Sequence, residues 1–174
     1  MNIRELLLEE HSKKRAQYIC DGIIEERAQV SELLELIYHG DIWMRQRSSW
    51  PLELLAIKKE SLIHPHLHEI IEVLNSSNED AILRNLYRSM QHMSFTEDTI
   101  GPMYQVAFGH LADPKSAIAI QAFAMSTCSS IAHIFPELAH ELVPLIESYY
   151  ATGSAGYKSR ANRELKRLNK FINQ

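Results

Sequence analysis

Strand formers and turn punctuation are both scarce in this chain. Val and Thr together number eight against twenty Leu, and Gly and Pro number six each among 174 residues. A sheet protein needs β-branched residues and Gly- or Pro-built turns in quantity, so their shortage points to helix. Cysteine is nearly absent as well. Cys20 and Cys128 stand 108 residues apart without the CxxC or Cys/His spacing that zinc ligation requires, and both read as small apolar side chains. No stretch approaches the ~18 to 20 uninterrupted apolar residues of a membrane span. Met1 to Glu10 offers only three consecutive leucines before acidic residues, too little for a signal peptide. A cytoplasmic location is expected. The chain also lacks a P-loop, an HExxH pair, a nucleophile elbow and a dinucleotide fingerprint. What remains is ordinary for a globular protein, with 45% apolar and 23% charged residues and a net charge of -4, which excludes disorder and a collagen-like chain. The length suits one folding unit over 1–174.

Apolar periodicity predicts helices over 2–20, 27–38, 42–58, 65–75, 79–93, 102–111, 115–134, 136–150 and 155–172. Turn chemistry separates them at Gly40-Asp41, His64-Pro65, Ser76-Ser77-Asn78, Gly101-Pro102, Asp113-Pro114, Phe135-Pro136 and Gly153-Ser154. Pro65, Pro102 and Pro136 each fall where a first helical turn would begin, where a missing N–H costs nothing.

The helices repeat. Pro65 and Pro102 are 37 residues apart, Pro136 follows 34 later, and apolar positions keep step with them. Val30, Leu67, Tyr104 and Leu138 share one position, Leu34, Ile71, Phe108 and Leu142 the next, and Ile37, Leu74, Leu111 and Leu145 the third. Spacings of four and three put each set on one helix face. The alternate helices echo the period through Arg47, Arg84, Gln121 and Arg160, although Glu10 breaks the register in the first. Asp41, Asn78 and Lys115 open those helices in phase. The unit is a helical hairpin of about 37 residues.

A hairpin of this length, with an apolar ladder on its second helix, Pro or Asp near helix starts and a recurrent Arg in its first helix, resembles the HEAT-like α-solenoid repeat proteins. The resemblance covers most of residues 2–172. It implies an all-α, right-handed α-α superhelix of about four stacked hairpins, 2–38, 41–75, 78–111 and 114–150, closed by a capping helix at 154–172. Pro51, inside a first helix, fits the bent first helices of such repeats. The run Ala117, Ile118, Ile120, Ala122, Phe123, Ala124, Met125 is apolar nearly all round and is expected to be covered on most sides. The last helix carries one stripe, Tyr157, Ala161, Leu165, Leu168 and Ile172, as a terminal cap should.

Charge divides by layer. The second helices contain Glu32, Glu35, Glu69, Glu72, Glu137, Glu141 and Glu147 and no Lys or Arg. In HEAT-like solenoids the second helices line the inner surface, so the resemblance implies an acidic groove. The last helix holds Lys158, Arg160, Arg163, Lys166, Arg167 and Lys170 against Glu164. Cations near a helix C-terminus suit its dipole, and a basic amphipathic helix also suits nucleic acid or an acidic partner.

Candidate chemistry is thin. Of His64, His66 and His68 only the first and last could share a face, a poor metal site, and no metal or cofactor is expected. Ser126, Thr127, Ser129 and Ser130 surround Cys128 without a paired base and read as small residues bonded back to carbonyls. Asp41, Trp43, Arg45, Arg47 and Trp50 form the most enzyme-like group, since HEAT-like DNA glycosylases use such residues around an extruded nucleotide. That chemistry needs a cationic groove, and the two tryptophans read better as packing anchors. The expected function is therefore an adaptor or scaffold, not an enzyme, that takes a basic protein or peptide through Glu69, Glu72, Glu137 and Glu141. The alternative is a nucleic-acid-binding protein or repair glycosylase working through Arg45, Arg47, Arg160, Arg163, Lys166 and Arg167. Self-association is a third option, because a short solenoid exposes two ends.

Overall fold

Short polar side chains decide where the helices start. In the computed structural model, which describes residues 1–172, the elements are α1 (Ile3–Glu9), α2 (Lys13–Ile24), α3 (Val30–His39), α4 (Ile42–Lys58), α5 (Leu67–Ser76), α6 (Asp80–Met90), α7 (Glu97–Ala112), α8 (Ile118–Ala132), α9 (Ala139–Ser148) and α10 (Ala155–Ile172). Single 3-10 turns lie at Glu60–Leu62, His64–His66 and Pro136–Leu138, and no strand occurs among the described residues. Asp41 caps α4 by accepting from the amides of Trp43 and Met44 at 3.0 and 2.9 Å. Gln29 and Glu32 form a reciprocal box at the start of α3. The α3–α4 turn passes through Gly40, where a Cβ would lie 2.3 Å from the carbonyl oxygen of Leu36, so only glycine fits without a shift.

Two departures from the expected helices are the largest. The single helix read over 2–20 is two helices, because Glu10 is extended (φ -154°, ψ 136°) and Ser12 recaps the chain by accepting from the Arg15 amide at 3.1 Å. That break is the physical reason the repeat register fails at Glu10. The helix expected to open at Pro102 begins five residues earlier, where Thr96 and Thr99 form a capping box, so Pro102 lies inside α7. Its missing N–H leaves the turn before it without one backbone bond.

The chain gathers into two compact units, Met1–Phe95 and the residues from Thr96 onward. The division falls between α6 and α7, the two helices of the hairpin read over 78–111. In the first unit the ladder is fully inward: Val30, Leu34, Ile37, Leu67, Ile71 and Leu74 are all buried, together with Leu33, Met44, Leu52, Leu55 and Tyr87. Each such Leu or Ile contributes about 1.5–3 kcal/mol of burial before entropy is charged against it. In the second unit the ladder is turned aside. Leu111 and Leu142 are buried, but Tyr104, Phe108, Leu138 and Leu145 are half-exposed, and the deep positions of α7 and α9 are Met103, Ala107, Ala139, Val143 and Ile146.

The 37-residue period is visible as contact. In the first unit, α2 meets α4 through the Asp21–Lys58 pair (3.2 Å), and His11 in the turn before α2 meets Trp50 of α4 (ring centroids 5.6 Å, edge to face), 37 and 39 residues apart. α4 meets α6 through Glu53, which faces Arg88 at 2.7 Å and, in the turn after α6, His92 at 3.7 Å. In the second unit, α7 meets α9 through Tyr104–Glu141 (2.8 Å) and Ala112–Tyr149 (2.8 Å), both 37 apart. α8 meets α10 through Phe123–Arg160, Ser126–Glu164 and His133–Phe171, 37 or 38 apart. Offsets that stay close to 37 along a pair mean that its two helices run parallel, first helix beside first helix in both units and α7 beside α9 in the second, as stacked hairpins require.

Candidate functional site

The carboxylates of the first unit stand on α3 and α5. Glu32, Glu35, Glu69 and Glu72 are all exposed, and neither helix carries Lys or Arg. The two helices bring charge to one place: Tyr38, buried at the end of α3, has its hydroxyl pushed well above the ordinary phenol range by burial, then by Glu69 of α5 and Glu35 of α3. Its oxygen has no hydrogen-bond partner. His39 lies 3.8 Å from Glu35, and His66 lies 3.8 Å from Glu69, so two of the four carboxylates have a histidine beside them.

In the second unit the counterpart is Glu141 on α9, which accepts from the Tyr104 hydroxyl of α7 at 2.8 Å. Burial and then that bond hold the Tyr104 phenol protonated. Glu137, in the 3-10 turn leading into α9, and Glu147 are exposed, and α7 and α9 also lack Lys and Arg. Glu69 and Glu72 thus share one unit, Glu137 and Glu141 the other.

The arginines of α4 serve as braces. Arg47 donates to the carbonyls of Leu7 (2.6 Å) and Leu8 (3.4 Å), closing the C-terminal end of α1 with a cation. Arg45 donates to the carbonyl of Tyr38 at 3.3 Å near the end of α3 and pairs with Glu79, the cap residue of α6. Gln121, one of the positions in step with Arg47, does a similar job by donating to the Asp113 carbonyl at the end of α7. Trp50 is half-buried against His11, whereas Trp43 is 64% exposed and anchors nothing, contrary to the packing role expected of it. It sits at the first turn of α4 beside exposed Ile42, on the outer side of the Met44 and Ser48 face that enters the core.

The basic residues of α10 are organised by a group that charge counting passed over. Glu164 is completely buried. Its Oε1 accepts from Ser126 at 2.9 Å and from Arg163 through Nε and Nη2 at 3.0 and 2.6 Å, and its Oε2 accepts from Arg167 at 3.0 Å. Arg160 donates to Ser126 at 2.7 Å, and its guanidinium lies 5.6 Å from the centroid of Phe123. Burial alone would raise the carboxyl's pKa, but Arg163 and the hydroxyl of Ser126 outweigh it and hold Glu164 below the usual carboxylate range. The buried stripe accordingly runs Tyr157, Ala161, Glu164, Leu168, with Leu165 only half-buried. Lys166 is exposed. α8 is covered on most sides, as expected, with Ile120, Ala124, Met125, Cys128 and Ile131 buried; only its first turns stay partly open, where Ile118 is 51% exposed and Ala119, Ala122 and Phe123 are half-buried.

Nucleophilic chemistry has little to work with. Burial pushes the Cys20 thiol up to about 11 and the Cys128 thiol well above the ordinary range, so neither is a thiolate near neutral pH. Thr127 donates back to the Phe123 carbonyl at 3.2 Å. The arrangement closest to a catalytic set is one the sequence spacing hid: Ser94, Glu60 and His64. Ser94 Oγ donates to Glu60 at 2.9 Å and lies 3.5 Å from His64 Nε2, while the same Nε2 is 4.0 Å from Glu60. The order is wrong for a relay, because the serine proton is held by the carboxylate and the imidazole is not oriented through its other nitrogen. The Ser94 amide also donates to Glu60 at 2.7 Å, so the group ties the turn after α4 to the turn after α6. No group of three His, Cys, Asp or Glu able to hold a metal occurs among the described residues. Among them, too, no helix is long and apolar enough to cross a membrane.

Parallel stacking of helical hairpins at a constant offset, with the first helices bracing the ends of their neighbours, defines a helical repeat protein. The sequence pattern of the HEAT repeat domain matches residues 3–168, and the chain belongs to that family. No curated protein and no solved structure matches it.

Proposed function

We propose that this HEAT-repeat chain works as an adaptor, one repeat domain over 1–174, that binds a basic segment of a protein partner on the carboxylate faces of its second helices. The observation that carries this reading is the separation of charge by layer: α3, α5, α7 and α9 present exposed glutamates without one Lys or Arg, while Arg45 and Arg47 of the first-helix layer are spent on carbonyls and on Glu79. Glu69, Glu72, Glu137 and Glu141 are the residues assigned to the partner. Both cysteines are unpaired thiols, which fits work in a reducing compartment such as the cytoplasm.

The test is a titration of a dye-labelled Lys/Arg-rich peptide against the full chain at two salt concentrations. Replacing Glu69 and Glu72 by Gln, or Glu137 and Glu141 by Gln, removes two exposed charges. Each pair should weaken binding by about 1 kcal/mol, roughly fivefold, and flatten its salt dependence. Unchanged affinity and salt slope in both double variants would reject the reading.

A further inference from the structure

An open groove lies on the first-helix layer of the second unit. α8 and α10 run side by side and parallel: Ile118 faces Gly156, Phe123 faces Arg160, and Ser126 faces Glu164. Their N-termini therefore lie at the same end, and both helix dipoles present their positive ends there. Between the first turns runs an open groove of about 570 Å³. Its floor is kept low by small side chains, Ala122 on α8 and Gly156 on α10, and its apolar walls are Ile118 and Phe123. Arg160 and Arg163 close its far end.

The charge of the groove is unbalanced. Three guanidiniums, Arg160, Arg163 and Arg167, gather around Glu164, which accepts from Arg163 and Arg167, while Arg160 donates to the Ser126 hydroxyl. The formal charge of these four residues is +2. Arg160 shows the strain electrostatically, its pKa drawn down by burial and then by the charge of Arg163. The buried carboxylate aligns the Arg163 guanidinium before any ligand arrives, so little side-chain freedom remains to be lost on binding.

We propose that this groove receives an acidic segment of a partner polypeptide, an Asp or Glu carboxylate meeting Arg160 and Arg163 while a neighbouring Leu, Ile or Phe side chain enters between Ile118, Ala122 and Phe123. Charge complementarity selects a carboxylate, and the apolar floor selects a hydrophobic neighbour. Nucleic acid fits less well. The face of Phe123 on which a base would stack is covered by Arg160, and two guanidiniums at the end of an apolar slot do not track a phosphate backbone. The site is separate from the glutamates assigned above and asks for the opposite charge in its ligand.

The full chain, dye-labelled, is applied to an array of nonapeptides in which one Leu, Ile or Phe is flanked by Asp and Glu, printed beside the same peptides with Asn and Gln. The best acidic peptide is then titrated by anisotropy alongside a single-stranded oligonucleotide. The acidic peptide should bind at least tenfold tighter than its amide counterpart and tighter than the oligonucleotide. Arg160→Gln should cost about tenfold. Ile118→Glu, on the exposed rim and outside the Glu164 network, should cost a similar factor without disturbing the fold. Glu69→Gln with Glu72→Gln should leave this binding unchanged. Equal binding of acidic and amide peptides, tighter binding of the oligonucleotide, or full affinity in both groove variants with native circular dichroism overturns the proposal.

Discussion

Ser126 on α8 donates a 2.9 Å hydrogen bond to Glu164 on α10, a carboxylate with no exposed surface that also holds Arg163 and Arg167. The last helix is therefore docked through a buried charge as well as through Tyr157, Ala161 and Leu168. An ionised group in that position is tolerated because donors from two helices converge on it, and it holds the helix in one register.

Glu164 makes stability pH-dependent in a defined direction. Its folded pKa lies below the ordinary carboxylate value, so its contribution is fully present above about pH 4.3 and is lost as pH falls through the folded value. Urea titrations from pH 7 down to pH 3 should show that loss, and Glu164→Gln should flatten it while costing about 1–3 kcal/mol at pH 7. A variant with the wild-type acid slope would contradict this account.

Arg47 is the cap of α1. Arg47→Ala should expose the carbonyls of Leu7 and Leu8 to competition by water and fray α1 first. Hydrogen exchange should accelerate in the amides of residues 6–9 well before those of α4, with a global cost of about 1–2 kcal/mol.

The two units should answer differently to truncation of the ladder. Leu34, 1% exposed in α3, should cost about 2–5 kcal/mol when replaced by Ala. Leu145, half-exposed in α9, should cost no more than about half of that, as read by denaturant midpoints. Equal costs would mean that the ladder faces inward in both units.

Tyr157 donates from its buried hydroxyl to the Ile146 carbonyl at 3.1 Å, joining α10 to α9. Tyr157→Phe keeps the ring and orphans the carbonyl, so a loss of about 1–2 kcal/mol is expected with unchanged helix content by circular dichroism.

Local chemistry explains which parts of the fold were legible. The helices at 42–58 and 155–172 fall where periodicity puts them, since Asp41 and the Gly153-Ser154 turn mark their starts unambiguously. Pro102 misled because proline favours a first turn but is tolerated inside a helix, and the Thr96–Thr99 box that starts α7 earlier lacks the acidic third member of the usual pattern. The ladder was read correctly as apolar, but a one-residue rotation about a helix axis, from Tyr104 to Met103, changes no periodicity and so leaves no trace in spacing. The candidate site was less legible still. Counting charge treated Glu164 as a lone subtraction from a basic helix, because nothing in a stretch such as Arg163-Glu164-Leu165 says which neighbour turns inward. Arg45 and Arg47 looked available for the same reason: a side chain that closes the end of a distant helix reads as surface charge until the helices are stacked.

The constant offset between partner residues also sorts the places where the chain can change length. Contacts join residues 34 to 40 positions apart, a spread that side-chain reach covers within one helix pair, and a few extra residues at exposed Ala151 and Thr152, in the turn outside both helices, leave α8 and α10 in register and make this turn a site for an epitope tag. One residue inserted after Met125 instead rotates everything beyond it by about 100° about the α8 axis, carrying Ser126 and His133 away from Glu164 and Phe171 together.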